Sequence, residues 1–150
     1  MPLELIATAP RTPELRPYDE PPLGPRQIRI RTQFASPKHG TELVAYRNEP
    51  AAQRAYDPVW GVMRDRPEQP SIFPRPLGNM AVGVVEETGS DVTRFAAGDR
   101  VFGHFPIRET QTVDEDLATP MPPGLSDEAA VCLDPAVMAF AMRDGNIKLG

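Results

Sequence analysis

The chain has 150 residues, 40% of them hydrophobic and 25% charged, which suits one globular domain with its own core. Its 19 prolines are more than twice the usual ~5% and exclude a long helical bundle, because proline breaks helix interiors and restricts the residue before it. A net charge of −5 argues against a nucleic-acid partner, and no apolar run approaches the ~20 residues of a membrane span.

The chain opens Met1-Pro2-Leu3-Glu4-Leu5-Ile6, without a basic region or a signal-peptide apolar stretch. With a lone cysteine, Cys132, ruling out an internal disulfide framework, this leads to the expectation of a soluble cytoplasmic protein. Alternation over Leu3, Leu5 and Ala7 predicts a short first strand. Six prolines between residues 10 and 25 predict an extended connection. Gln27 to Phe34 is the cleanest strand, with Ile28, Ile30, Thr32 and Phe34 on one face and Gln27, Arg29, Arg31 and Gln33 on the other. Lys38 to Tyr46 predicts a tight turn leading into one or two helical turns. Residues 47 to 76 show no sustained periodicity and predict a long loop, a feature that is usually functional or mobile.

Leu77 to Thr88 predicts an apolar strand whose internal Gly78 and Gly83 mark a bulge or a close backbone approach. Val92 and Phe95 are expected to anchor the following connection, and Gly98-Asp99 turns the chain into Arg100-Val101-Phe102. Thr110 to Val113 and Leu117 to Thr119 predict short edge strands. Ser126 then caps a short helix, with Asp127 and Glu128 near its positive end. Asp134 is expected to cap a second helix from Pro135 to about Asp144, which Gly145 ends. The predicted core unites Ile28, Ile30, Phe34, Val82, Val84, Val101 and Phe102.

The run Gly83-Val84-Val85-Glu86-Glu87-Thr88-Gly89-Ser90-Asp91-Val92, with Phe95 and Gly98-Asp99-Arg100-Val101-Phe102 after it, resembles the medium-chain dehydrogenase/reductase superfamily. Pro122-Pro123-Gly124-Leu125-Ser126-Asp127-Glu128-Ala129-Ala130 is similar to the segment leading out of its N-terminal catalytic domain. His39-Gly40-Thr41-Glu42 resembles the Cys-Gly-Thr-Asp turn in variant form. The resemblance covers about residue 26 to Gly150. It implies a mainly β fold with short helices, a GroES-like partly open β-barrel. The last ~25 residues would form the junction to a Rossmann domain that is absent here. It also implies an NAD(P)-dependent oxidoreductase that moves a hydride to or from a carbonyl, an alcohol or an activated alkene. No G-x-G-x-x-G occurs in these 150 residues, so the cofactor is expected only with the missing domain, and this chain alone is expected to be inactive.

In zinc-dependent members of the superfamily, the metal is held by the cysteine of Cys-Gly-Thr-Asp, the histidine of a later Gly-His-Glu, and a cysteine or acidic residue near the junction. The matching positions here are His39, the run Gly78-Asn79-Met80, and Cys132 or Asp134. Histidine is an acceptable ligand, but an asparagine amide is a poor one and methionine is weak, so zinc is not expected. Thr41 matches the hydroxyl residue that relays a proton in alcohol-oxidising relatives; alternatively it caps a helix beginning near Glu42. His39 is either an acid–base group or a structural residue of the turn. Glu42 matches an acidic residue that supports the metal site in zinc members. Trp60 and Tyr56 either approach the substrate cleft or pin the long loop to the barrel. With Asn79 they are the expected substrate-binding residues. His104 reads as a partly exposed residue at a strand end, and Cys132 as a buried small hydrophobe.

Three functions compete at this point. The first is the substrate-side domain of a zinc-independent, NAD(P)-dependent oxidoreductase. The second is a stand-alone GroES-like binding or assembly module, and the third is a zinc alcohol dehydrogenase fragment using His39 and Cys132. The expected partners are a small-molecule substrate and a cofactor-binding domain. A further expectation is self-association through the last helix, with Phe140 or the Met138–Met142 side left partly exposed.

Overall fold

The structure, a computed structural model, describes residues 1–65 and 71–144, apart from the side chains of Thr41, Gln53, Asp65, Met138, Met142, Arg143 and Asp144. It is built mainly of strands. The hairpin of β1 (Leu3–Ala9) and β2 (Thr12–Pro17) turns at Arg11, which adopts φ 58°. β2 replaces part of the extended connection expected over residues 10 to 25. It tolerates Pro13 and Pro17 because it lies at the edge of a three-stranded sheet, β2-β1-β6, with β6 spanning Arg75–Pro76.

The larger sheet has five strands in the order β10-β8-β7-β3-β9. Its centre pairs β3 (Gln27–Ser36) with β7 (Met80–Thr88), flanked by β8 (Arg100–Gly103) and β9 (Thr110–Asp114). β9 and β10 (Thr119–Pro120) are its edges; β9 lies where a strand is expected, but Glu115–Leu117 forms a 3-10 helix, so the strand expected over Leu117 to Thr119 begins only at Thr119. Residues 107–109 stitch the two sheets together. Leu5 N–H donates to the Ile107 carbonyl at 2.9 Å and Ile107 N–H to Leu77 at 2.7 Å; Thr32 N–H donates to Glu109 and Glu109 N–H to Leu3, each at 2.9 Å. These few bonds close the sheets into a partly open barrel.

Ile28 and Ile30 are fully buried, as their alternation predicts, but Phe34 is 38% exposed. The reason is a bulge. Thr32 pairs with Gly83 and Phe34 with Val82, so Gln33 is an extra residue in β3 and the alternation flips after it. Ala35 now faces the first core and Phe34 the opposite side. The single predicted core is in fact two clusters on the two faces of β7. Ile28, Ile30, Ala81, Val85, Val101, Phe105 and Ala118 form one, with Val92 and Phe95 packed on it as anchors. Met80, Val82, Ala130 and Val131 form the other, with Phe102 partly buried beside them; Val84 is also only partly buried. Gly83 supports a close approach: a Cβ there would lie 2.3 Å from the Arg31 carbonyl oxygen.

The loop expected over residues 47 to 76 contains a 3-10 helix (Pro50–Gln53) and a hairpin of β4 (Arg54–Asp57) and β5 (Val62–Asp65). These four-residue strands are largely exposed, so no alternating apolar signal marks them. The Asp57 carboxylate accepts from the backbone N–H groups of Val59 (2.9 Å) and Trp60 (3.2 Å) to shape the turn. Residues 66–70 of the expected loop lie outside the described residues.

At the far end, α2 (Asp127–Ala130) is capped as expected, with Ser126 Oγ accepting from Ala129 N–H at 3.2 Å. α3 (Leu133–Asp144) starts two residues earlier than predicted, because Ala136 N–H already reaches the Cys132 carbonyl at 3.1 Å. Pro135 sits in the first turn, where its missing donor is not needed. Asp134 turns away from capping to pair with Lys38. Phe140 is 55% exposed on α3. The side chains of Met138 and Met142, and Gly145 as helix stop, lie outside the described residues. Among the described residues no helix is long and apolar enough to cross a membrane.

Candidate functional site

The site is organised by the start of α1 (His39–Tyr46). Lys38, its N-cap, offers no side-chain cap; Glu42 does the work from inside the helix. Its buried carboxylate accepts the backbone N–H of Lys38 with one oxygen and that of Gly78, at 2.6 Å, with the other. This ties the helix start to the turn before β7. Glu42 therefore has a structural role that needs no metal. Thr41 is the third residue of α1, so it does not cap a helix beginning near Glu42; its side chain is outside the described residues.

Beside this tie lies a cavity of about 250 Å³ lined by Lys38, His39, Met80, Val131, Cys132 and Pro135, among others. His39 is exposed at its rim. Cys132, expected to be buried, is exposed as well, because it falls at the junction between α2 and α3 rather than inside either.

A polar chain runs along the same region. The Lys38 ammonium donates to Asp134 Oδ2. Asp134 Oδ1 lies 3.9 Å from His104 Nε2, and His104 Nδ1 lies 3.4 Å from Asn79 Oδ1. The Lys38 hydrogen bond is the main reason the Asp134 carboxyl titrates below its ordinary 3.8; against a loss of hydration, the charges of Lys38 and His104 add to it. His104 is exposed, as expected of a residue just beyond β8, yet it bridges two positions of interest. Sequence reasoning missed Lys38 entirely. Its partner is 96 residues away, and no local pattern announces such a pair.

Tyr56 and Trp60 do not line this cavity. They sit on the β4–β5 hairpin, 60% and 68% exposed, so Trp60 does not pin the segment to the barrel. Arg64 stacks over the Trp60 ring at 5.5 Å and is held by Asp57 at 3.2 Å.

A zinc site does not fit these residues. Among the described residues no group of three His, Cys, Asp or Glu side chains is placed to hold a metal. Asn79 directs its amide oxygen to His104, Met80 is buried in the second core cluster, and Asp134 is engaged by an ammonium.

Residues 24–134 match the alcohol dehydrogenase GroES-like domain. The chain belongs to that family. Over 159 aligned residues this GroES-like domain is 38% identical to D-guloside 3-dehydrogenase of Escherichia coli (strain K12), covering 98% of the chain. It spans about 45% of that relative's length. The fold is shared with a quinone oxidoreductase of Pseudomonas syringae pv. Tomato DC3000, at TM-score 0.68 and 21% identity, covering 100% of this chain and 43% of that one. It is also shared with the Escherichia coli quinone oxidoreductase complexed with NADPH, at TM-score 0.66 and 16% identity, covering 95% and 41%. The domain thus resembles the GroES-like part of longer medium-chain dehydrogenases and reductases.

Proposed function

We propose that this GroES-like domain is the substrate-side part of a nicotinamide-dependent oxidoreductase acting on a small carbonyl, alcohol or activated alkene without catalytic zinc. In this reading residues 1–150 are one domain, with the last ~25 forming its junction to a nucleotide-binding domain. The supporting observation is the 38% identity over nearly the whole chain to a dehydrogenase named for a D-guloside, which favours a polyhydroxylated substrate. When bound, a nicotinamide would give or accept the hydride. These 150 residues hold no glycine-rich phosphate turn to receive it.

What the chain itself supplies is proton handling at the oxygen. Oxidising an alcohol releases the hydroxyl proton, and reducing a carbonyl requires one. His39, at the cavity rim, exchanges that proton with solvent, and Thr41 in the same turn relays it. Asn79, beside the cavity, and Tyr56 and Trp60, on the exposed hairpin, contact the remainder of the substrate.

The test joins this chain to the coding sequence that follows Gly150 and follows reduced nicotinamide by absorbance. The panel holds pyranosides, simple alcohols, carbonyls and activated alkenes, each with NAD and with NADP. The expected result is turnover by the longer protein, none by the 150-residue chain, and no stoichiometric zinc in either. A longer protein that binds neither nicotinamide, or that turns over only with bound zinc, sinks the reading.

A further inference from the structure

We propose that Lys38 stands where zinc-binding relatives carry their metal, and that its ammonium binds the reacting oxygen of the substrate. The oxygen-binding role rests on the oxidoreductase reading above; the placement rests on the positions that the resemblance matches to zinc ligands and on the contacts among them. Asn79 and Asp134, the latter one of two candidates with Cys132 for the junction ligand, are brought together in space by His104, which lies 3.4 Å from one and 3.9 Å from the other. The third position, His39, lines the same cavity as Lys38. The cation found among these residues is the Lys38 ammonium, donating to Asp134.

The chemistry of this arrangement parallels that of a metal. An ammonium has three donors, and Asp134 takes one. Lys38 lines the cavity and is 28% exposed, so its other donors can meet a guest oxygen. Met80, Val131 and Pro135 make much of the wall apolar, which strengthens a fixed charge acting on an oxygen where negative charge develops. Asp134 orients the ammonium as a ligand set orients a metal. The same positive charge repels a divalent cation from the remaining carboxylate, imidazole and thiol donors.

Two experiments test this. The first titrates zinc sulfate into the 150-residue chain by calorimetry, comparing wild type, Lys38→Ala, Lys38→Arg and Lys38→Ala/Asp134→Asn. Lys38→Ala is expected to bind zinc more tightly than wild type or Lys38→Arg, and the added Asp134→Asn to remove the gain. Equal zinc binding by wild type and Lys38→Ala overturns the placement. If Lys38→Ala does not fold by circular dichroism, Lys38→Gln takes its part in the same comparison.

The second measures kcat/KM of the full-length oxidoreductase. Lys38→Ala is expected to lose about a hundredfold, as when an oxyanion donor is removed. Lys38→Arg is expected to keep a larger share, and methylammonium to restore part of the loss. Lys38→Ala with wild-type kcat/KM, or a loss that methylammonium and Lys38→Arg both leave unrepaired, overturns the oxygen-binding role. Absence of turnover in the wild type overturns the oxidoreductase reading and the oxygen-binding role with it, and the zinc titration then decides the placement by itself.

Discussion

Glu42 reaches 36 residues along the chain to accept the backbone N–H of Gly78 at 2.6 Å, while its other oxygen holds the N–H of Lys38. One buried carboxylate thereby fixes the start of α1 against the start of β7. Lys38 and His39 are placed beside Asn79 and Met80 as a result.

Removing that tie should be expensive. Glu42→Ala leaves two N–H groups without their acceptor and is expected to destabilise the domain by about 2–3 kcal/mol. Glu42→Gln keeps one acceptor oxygen and should lose roughly half as much. Urea unfolding of the three proteins measures both; equal stability of wild type and Glu42→Ala would show that the tie is idle.

The glycines at 78 and 98 separate conformation from crowding. Both have positive φ, +93° and +97°, but a Cβ at Gly98 meets nothing within 4 Å. At Gly78 it would lie 2.4 Å from Ile107 Cγ1 and 2.6 Å from the Ile107 backbone nitrogen. Gly98→Ala is therefore expected to destabilise by about 1–2 kcal/mol, the cost of the left-handed conformation alone. Gly78→Ala should destabilise by about 1–3 kcal/mol more, because residues 107–109 must shift. Chemical denaturation midpoints of the two variants decide the order.

Acid should loosen the junction through Asp134. Its native carboxyl titrates below the ordinary 3.8, so the Lys38 pairing contributes fully above that value and is lost as pH falls through the lower native one. Wild type is expected to lose stability in this acid window more steeply than Asp134→Asn, which has no charge to neutralise. Unfolding midpoints followed downward from pH ~5 test the difference in slope. Parallel curves would remove the pair from the acid response.

Trp60 should matter little to folding. At 68% exposure its truncation to alanine is expected to change stability by less than about 0.5 kcal/mol. A thermal melt that drops by many degrees would reveal a packing role absent from the structure. Under the proposed function, the same variant in the longer protein should raise KM, since the hairpin is proposed to meet the substrate.

Much of the barrel was legible because its signals are local. Alternation marked Ile28 and Ile30 as buried, and Gly83 announced a close approach that the Arg31 carbonyl does make. Ser126 marked its own helix start. Phe34 was misplaced because a bulge at Gln33 depends on how β3 meets β7, not on either strand alone. The β4–β5 hairpin was missed because an exposed hairpin has no buried face to leave a period in the sequence.

Of the candidate site, the sequence determined the cast of residues: His39 in a variant turn, Asn79 and Met80 in place of stronger metal donors, and an acidic residue near the junction. A short-range pattern can show which donors a motif has lost. What decided the site was tertiary structure. Folding brings Lys38 to Asp134 across 96 residues and Asn79 to His104 across 25, while leaving Tyr56 and Trp60 out of the cavity wall. Such meetings depend on where separate strands and helices end in space, and a charge pair at that range leaves no period or spacing in the chain to find.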